Sequence, residues 1–324
     1  MNYRILGCTN LRVSELCLGA MTFRWTSTED EAYQVMDAAF AAGINFFDTA
    51  DVYSRWAPGN PGGVAEEIIG AWLKRRGIPR DQIILATKVR GRMWDGPDGE
   101  GLSRAHILRA VEDSLRRMQI EYIDLYQSHA PDENTPQAET LRVFDDLIKQ
   151  GKARFIGCSN FNATQLREAL DTSAQIQLAR YDTLQPHYNL IWRGEFENEL
   201  QAVCARENIG VIPYSPLQGG FLTGKYKRGQ PIPAKARGAN NDRIKQWLHD
   251  ERALHLLDAL QPVSAQRGES MTTTALAWML TNPVVSSAII GANNVAQLNE
   301  SLAAAGKTLR AAEKELLDSV SEWS

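Results

Sequence analysis

The sequence predicts an α/β protein, a (β/α)8 barrel of the TIM type with a short β-hairpin ahead of it and an extra helix at its C-terminal end. Two observations carry that expectation. Short apolar, β-branched or aromatic runs alternate with longer helical patterns along the whole chain, and the strand–helix units number eight, which matches barrel closure. A third observation argues against an open doubly wound sheet: no GxGxxG follows the first apolar run, where a dinucleotide-binding sheet places it. Barrels of this kind commonly run past about 250 residues as one domain. No linker, low-complexity segment or short repeat interrupts the 324 residues, so one domain over 1–324 is expected.

The opening MNYRILGCTNLRVSE reads as a hairpin turning at Gly7 to Asn10. The first barrel strand is LCLGAM (Leu16 to Met21), and a helix follows over Thr28 to Ala42, with Thr28 as N-cap and Gly43 just past its end. INFFDTA (Ile44 to Ala50) is the second strand, followed by a Pro/Gly-rich loop from Ser54 to Gly63 and a helix through Arg76. QIILATK (Gln82 to Lys88) pairs with a helix from Ser103 to Met118, and YIDLYQSH (Tyr122 to His129) with one from Pro136 to Gln150, proline at its start and Gly151 beyond its end. ARFIGCSN (Ala153 to Asn160) precedes a short helix from Ala163; IQLARYDTLQ (Ile176 to Gln185) precedes one from Glu195 to Glu207. IGVIPYSPL (Ile209 to Leu217) opens a long loop before helical sequence from about Asp250, and VSSAIIGA (Val285 to Ala292) is the last strand, with helices to about Ala305 and from Thr308.

Composition excludes several function classes. A net charge of -4 argues against nucleic-acid binding, which usually needs a basic face. No apolar run approaches the roughly 20 residues of a membrane span, and MNYRILGCTN lacks the apolar stretch of a signal peptide, so a cytoplasmic protein is expected. Cys8, Cys17, Cys158 and Cys204 show no CxxC spacing and form no metal-ligand set with the histidines; reduced, partly buried thiols and no metal are expected.

In a barrel of this type chemistry sits at the C-terminal ends of the strands. There the sequence places Asp48 with Tyr53 just after it, then Lys88, His129, Ser159 with Asn160, Gln185, Tyr214 and Gly291. Any one of these has a plain structural explanation, but Asp, Tyr, Lys and His on three successive ends form a coherent acid–base set. Reduction of a carbonyl needs a proton on oxygen as hydride reaches carbon. Tyr53 is the candidate general acid, its ordinary pKa of about 10 being high for the task. Lys88 would lower that value, Asp48 would hold the lysine, and His129 would orient the carbonyl. The loops that wall the site carry Trp25, Trp56, Trp94 and Trp192, an aromatic supply suited to apolar or aromatic aldehydes as small-molecule substrates.

These residues resemble the aldo-keto reductase superfamily, from about Leu6 to Leu302. The resemblance is carried by GINFFDTADVY (Gly43 to Tyr53), ATK (Ala86 to Lys88), YQSHAPD (Tyr126 to Asp132), GCSNF (Gly157 to Phe161), TLQPHYN (Thr183 to Asn189) and PYSPLQGGFLTGKY (Pro213 to Tyr226). It implies NADPH bound extended across the barrel top. Ser159, Asn160 and Gln185 would clamp the carboxamide and Tyr214 would stack on the nicotinamide. Ser215, Pro216, Leu217 and Gln218 would lie along the pyrophosphate, with Lys225 and Arg237 as cationic contacts. Gly19, Met21 and Gly291 would border the cofactor, and Asn293, Gln297 and Glu300 would reach the adenosine at a helix opening. Many relatives carry Arg, Lys or Ser where Asn293 stands, and Asn where Ser301 stands; Asn293 brings no charge, which leaves NADH open beside NADPH. The superfamily also includes potassium-channel β subunits, so a nucleotide-binding regulatory subunit is the alternative. A metal-dependent hydrolase lacks a ligand set, and a short-chain dehydrogenase lacks a Tyr followed by Lys at four-residue spacing.

Overall fold

The computed structural model describes residues 1–234 and 236–322; the side chains of Arg237 and Asn240 lie outside the description. A two-stranded antiparallel hairpin, β1 (Tyr3–Ile5) and β2 (Arg12–Ser14), comes first, with Tyr3 opposite Ser14. The barrel strands are β3 (Leu16–Gly19), β4 (Phe46–Asp48), β5 (Ile84–Val89), β6 (Ile123–Ser128), β7 (Ala153–Ser159), β8 (Thr183–Gln185), β9 (Gly210–Val211) and β10 (Ala288–Ile290). They are parallel, in the order β10-β3-β4-β5-β6-β7-β8-β9. The ends of that sheet meet through a Val211–Val285 bridge and through Ser286 N donating to Val211 O (2.7 Å) and Ile289 N to Pro213 O (2.9 Å). The fold is the (β/α)8 barrel that the alternation predicts.

The helices are α1 (Glu29–Ala41), α2 (Val64–Arg76), α3 (Arg104–Met118), α4 (Gln137–Lys149), α5 (Ala163–Ile176), α6 (Gln201–Glu207), α7 (Asp242–Trp247), α8 (Glu251–Gln266), α9 (Met271–Thr281), α10 (Val295–Leu302) and the extra C-terminal α11 (Ala311–Val320). Local chemistry sets their ends. Thr28 caps α1 in a full capping box with Glu31, and Ser103 caps α3 through His106 N.

Two cores follow from the period of two in a strand. Outward side chains such as Leu16, Leu18, Phe47 and Leu85 pack under the helices, where Trp72 of α2 stacks on Phe47 at 5.3 Å and donates Nε1 to Asp37 (2.9 Å). Inward ones, Cys17, Phe46, Ile84, Ala86 and Leu125, fill the barrel, and Leu6, Leu11 and Val13 from the hairpin close its lower end. Gly7 is required there: its φ is +58°, and a Cβ would sit 2.3 Å from Gly210 N.

Several expected elements are shorter or different; β3, β4 and β10 each end earlier or begin later than the sequence suggests, and three others differ more. Residues from Ile176 do not extend β8, because α5 runs through Ile176 on its buried face of Leu166, Ala169 and Ser173, and Gln177 caps it in the left-handed region. The strand expected over Ile209 to Leu217 is only Gly210–Val211. Pro213 and Pro216 carry no N–H to continue the ladder and Ser215 has φ +54°. The helix expected from Glu195 opens with a π-turn, Phe196–Leu200, before α6. Among the described residues no helix is long and apolar enough to cross a membrane, and no cluster of side chains is suited to a metal ion.

Candidate active site

Alternation brings the polar residues to one level at the top of the barrel. In β4, β5 and β6 the inward positions Phe46, Ala86 and Leu125 are followed two residues later by Asp48, Lys88 and Gln127. Lys88 is fully buried and its Nζ donates to Asp48 Oδ2 (2.6 Å), the Thr49 carbonyl (2.8 Å) and Tyr53 Oη (2.9 Å). Asp48 is buried too, and its other oxygen accepts from Gln185 Nε2 (2.9 Å) and Gln127 Nε2 (3.2 Å). The ion pair is therefore complete on both sides, which a buried pair requires. Tyr53 is delivered by a tight turn after β4, with its N–H on Ala50 O (3.2 Å) and Asp51 N on Lys88 O (3.2 Å). The His129 ring stands edge-on to Tyr53, 5.8 Å between centroids.

The electrostatics follow from burial and neighbours. Burial pulls the Lys88 ammonium down, but Asp48 and Tyr53 outweigh it and raise its pKa. Burial raises the Tyr53 phenol; the Lys88 charge and hydrogen bond pull the other way and Asp48 adds to the rise, so the net displacement is upward. The lowering expected from Lys88 is present, but desolvation of the phenolate is the larger effect and the net shift is upward. Burial, then the charges of Lys88 and Arg90, hold His129 down at about 3, so its imidazole is neutral at physiological pH. Asp51 is fully buried with no hydrogen-bond partner on either oxygen among the described residues, and burial followed by Glu66 pushes its carboxyl well above the ordinary range.

His129 makes a prediction about stability. The folded imidazole stays neutral down to about 3, whereas the unfolded one protonates near its ordinary value of about 6.5. Between those values the unfolded chain binds the extra proton, so this contribution is present above about pH 6.5 and drains away as pH falls toward 3. His106 and His187, also lowered first by burial, share the slope. Urea unfolding across that window should show a shallower fall for His129→Gln than for the parent; identical slopes would contradict the assignment.

Beside the acid–base group lies a second constellation. Asn160, at φ +61°, donates Nδ2 to the His129 carbonyl (2.8 Å) and to Ser159 Oγ (3.1 Å), and accepts from Tyr214 Oη (2.9 Å). Ser159 Oγ donates to the Gln185 carbonyl (2.9 Å). The Tyr214 ring is half-exposed and stacks on His187 at 5.1 Å, which stacks in turn on Trp192 at 5.1 Å. Ser215, Gln218, Gly219 and Gly220 all have positive φ, and Lys225 Nζ lies close against Gly220. Such a turn beside a cation suits an anionic group. Gly19 closes against Ile289, where a Cβ would lie 2.7 Å from Cγ2, while Gly291 stays open, with Thr22 Cγ2 3.9 Å from such a Cβ. Met21 is half-buried against the core. Across the top, Thr26 Oγ1 donates to Asn293 Oδ1 (2.8 Å), and Asn293 N donates to Gln297 Oε1 (3.0 Å). Glu300 is exposed one turn along α10. The Arg237 side chain lies outside the described residues.

The tryptophans divide. Trp25 and Trp56 meet edge-to-face at 5.5 Å, and Trp56 meets Tyr53 at 6.0 Å, so these two stand at the site's mouth. Trp94 packs on His106 (4.8 Å) and under Arg109 (4.0 Å) of α3, and Trp192 backs Tyr214 through His187. Sequence reasoning overlooked Gln127, His187 and Arg90. Gln127 was within reach, since it lies two residues before His129 on the inward face; His187 belongs to a loop whose path no periodicity gives.

Comparison with known proteins identifies the family. The model described as "Aldo/keto reductase family" matches residues 15–322. The chain is 37% identical over 321 residues to "Uncharacterized oxidoreductase YrpG" of Bacillus subtilis (strain 168), covering 98% of this chain and 94% of that one. It is 36% identical over 309 residues to "Probable voltage-gated potassium channel subunit beta" of Oryza sativa subsp. japonica, and 35% over 309 residues to the protein of the same name in Arabidopsis thaliana, each covering 94% of this chain and 91% of the relative. A match that spans the barrel from β3 to beyond α11, over a top face built as described, makes this chain a member of the aldo/keto reductase family.

Proposed function

We propose that the chain is an NADPH-dependent reductase of aldehydes and ketones in which Tyr53 is the proton donor. One observation carries this: the Tyr53 oxygen accepts from Lys88 Nζ at 2.9 Å, so the phenol's own proton is free to be donated elsewhere. A bound nicotinamide cofactor supplies the hydride. As the carbonyl oxygen gains negative character, Tyr53 gives up its proton, and the buried Lys88 cation stabilises the phenolate left behind. Asp48, fixed by Gln127 and Gln185, keeps that cation in place. His129, neutral at working pH, offers a ring N–H to the carbonyl oxygen and orients it.

The residues fit a nicotinamide dinucleotide. Tyr214 offers a flat half-exposed ring, Ser159, Asn160 and Gln185 offer amide and hydroxyl groups beside it, and the left-handed Ser215–Gly220 turn with Lys225 fits a pyrophosphate. On this reading Gly19, Met21 and Gly291 would border the cofactor, and Asn293, Gln297 and Glu300 would reach the adenosine. Arg237→Ala should weaken NADPH more than NADH, whereas Lys225→Ala, beside the pyrophosphate turn that both cofactors would use, should weaken both, as measured by fluorescence titration. Equal losses of the two cofactors in Arg237→Ala would show that this side chain does not read the 2′-phosphate. Reduction of 4-nitrobenzaldehyde with NADPH deuterated at the nicotinamide 4-position should place the label on the alcohol carbon; an unlabelled product would contradict direct hydride transfer.

The names of the rice and Arabidopsis relatives favour a second reading, a nucleotide-binding regulatory subunit with little turnover. The complete Asp48–Lys88–Tyr53 group with a neutral His129 beside it favours the enzyme.

A further inference from the structure

The mouth above Tyr53 is more basic than the chain around it. Net charge is -4, yet the loops after β3, β4 and β5 bring Arg24, Arg55, Arg90 and Arg92 to one rim. These loops are tied together by Ser54 Oγ donating to Phe23 O (2.5 Å), Asn60 Nδ2 to Arg24 O (2.9 Å), the Trp25–Trp56 pair, and Arg55 Nη1 to Arg92 O. The first two loops carry a single acid, the buried Asp51. The third carries Asp95, Asp98 and Glu100, and Glu100 pairs with Arg92.

Within that rim Arg90 is held under strain. Its φ is 142°, a conformation that glycine adopts readily and arginine does not. Its carbonyl accepts from Gly101 N (2.9 Å) and its Nε donates to the Pro131 carbonyl (3.0 Å), which fixes the guanidinium beside the His129 loop. The side chain is half-buried, and its charge helps to keep His129 neutral. Among the described residues no carboxylate lies within 4.0 Å of it. Asp132, the acid of that loop, engages Leu102 N (2.7 Å), Asn134 N (3.0 Å) and Thr135 Oγ1 (2.8 Å) instead. The Arg90 charge is felt by Asp132 across the loop, yet among the described residues no carboxylate pairs with it directly and its Nη1 and Nη2 make no hydrogen bond, which leaves the fork open to a carboxylate from a ligand.

We propose that Arg90 anchors a carboxylate on the substrate, so that the preferred substrates are carbonyl compounds bearing an acid group. The guanidinium fork matches a carboxylate in shape and charge, and the basic rim raises the local concentration of anions. Trp25 and Trp56 then flank the carbon skeleton while Tyr53 and His129 address the carbonyl. This rests on the reductase reading of the same site.

The test compares two substrates of one skeleton, 4-carboxybenzaldehyde and its neutral methyl ester, with NADPH and the intact protein. The parent should favour the acid. Arg90→Gln should lower kcat/KM for the acid about 10- to 100-fold, mainly through KM, the range expected for lost charge-assisted hydrogen bonds. For the ester the loss should be clearly smaller, because burial and the Lys88 charge still hold His129 neutral, so the preference for acid over ester should fall. Arg90→Lys, a cation without the fork, should keep part of the preference. Equal losses on both substrates, or a parent indifferent to the acid, would overturn the anchor while leaving the reductase standing. No turnover of either substrate would remove the reductase reading and this proposal with it.

Discussion

Tyr53→Phe should lower kcat by about 10²- to 10⁴-fold, the range for removing a positioned general acid, while NADPH binds within about threefold of the parent, since only a proton donor is lost. The structure explains why the change is so selective. The phenol is mostly buried, and among the described residues its oxygen makes one hydrogen bond, from Lys88 Nζ. Lys88 retains Asp48 Oδ2 and the Thr49 carbonyl without it, so the ion pair and the turn survive. Steady-state kinetics alongside a nucleotide titration checks both halves. Near-parental turnover would remove Tyr53 from the chemistry.

Lys88→Met should cost more than activity. It leaves the Asp48 carboxylate buried with, among the described residues, the two glutamine amides as its remaining partners, and stranding one member of a buried pair costs about 3–5 kcal/mol. Thermal and urea unfolding should register that loss, and turnover should fall at least as far as in Tyr53→Phe, because the phenolate loses its stabilising cation as well as its orientation. Asp48→Asn combined with Lys88→Met removes both charges and should recover most of the stability and none of the turnover. A double variant no more stable than Lys88→Met would mean that volume or packing, rather than a stranded charge, sets the cost.

Much of this was legible in the sequence, for physical reasons. A parallel barrel needs near-continuous apolar strands under helices, so its order shows in the alternation of runs, and its working residues fall where each run stops. Asp48, Lys88 and His129 could be located that way, and strand alternation also reaches Gln127. Strand lengths were not legible. Ile176 and Ile209–Leu217 look like strand by composition, yet α5 captures the first, and prolines with a left-handed Ser215 end the second. The direction of the Tyr53 shift depends on how deeply the phenol is buried, which no local pattern states. Trp94 and Trp192 look like pocket residues because they lie in loops after strands. Their partners, His106 with Arg109 and His187, come from elsewhere in the chain or from loop geometry. Arg90 reads as an ordinary loop arginine until its backbone strain and the absence of a direct ion pair among the described residues are seen.

The central claim is that a buried Asp48–Lys88 pair holds Tyr53 ready to protonate a carbonyl while a nicotinamide cofactor reduces it. Its most direct test is to follow NADPH binding and NADPH consumption in the same preparation, with aromatic and acid-bearing aldehydes and with methylglyoxal. We predict tight binding together with aldehyde-dependent turnover that yields the alcohol. Tight binding with no turnover of any carbonyl compound would contradict the account and leave the regulatory reading in its place.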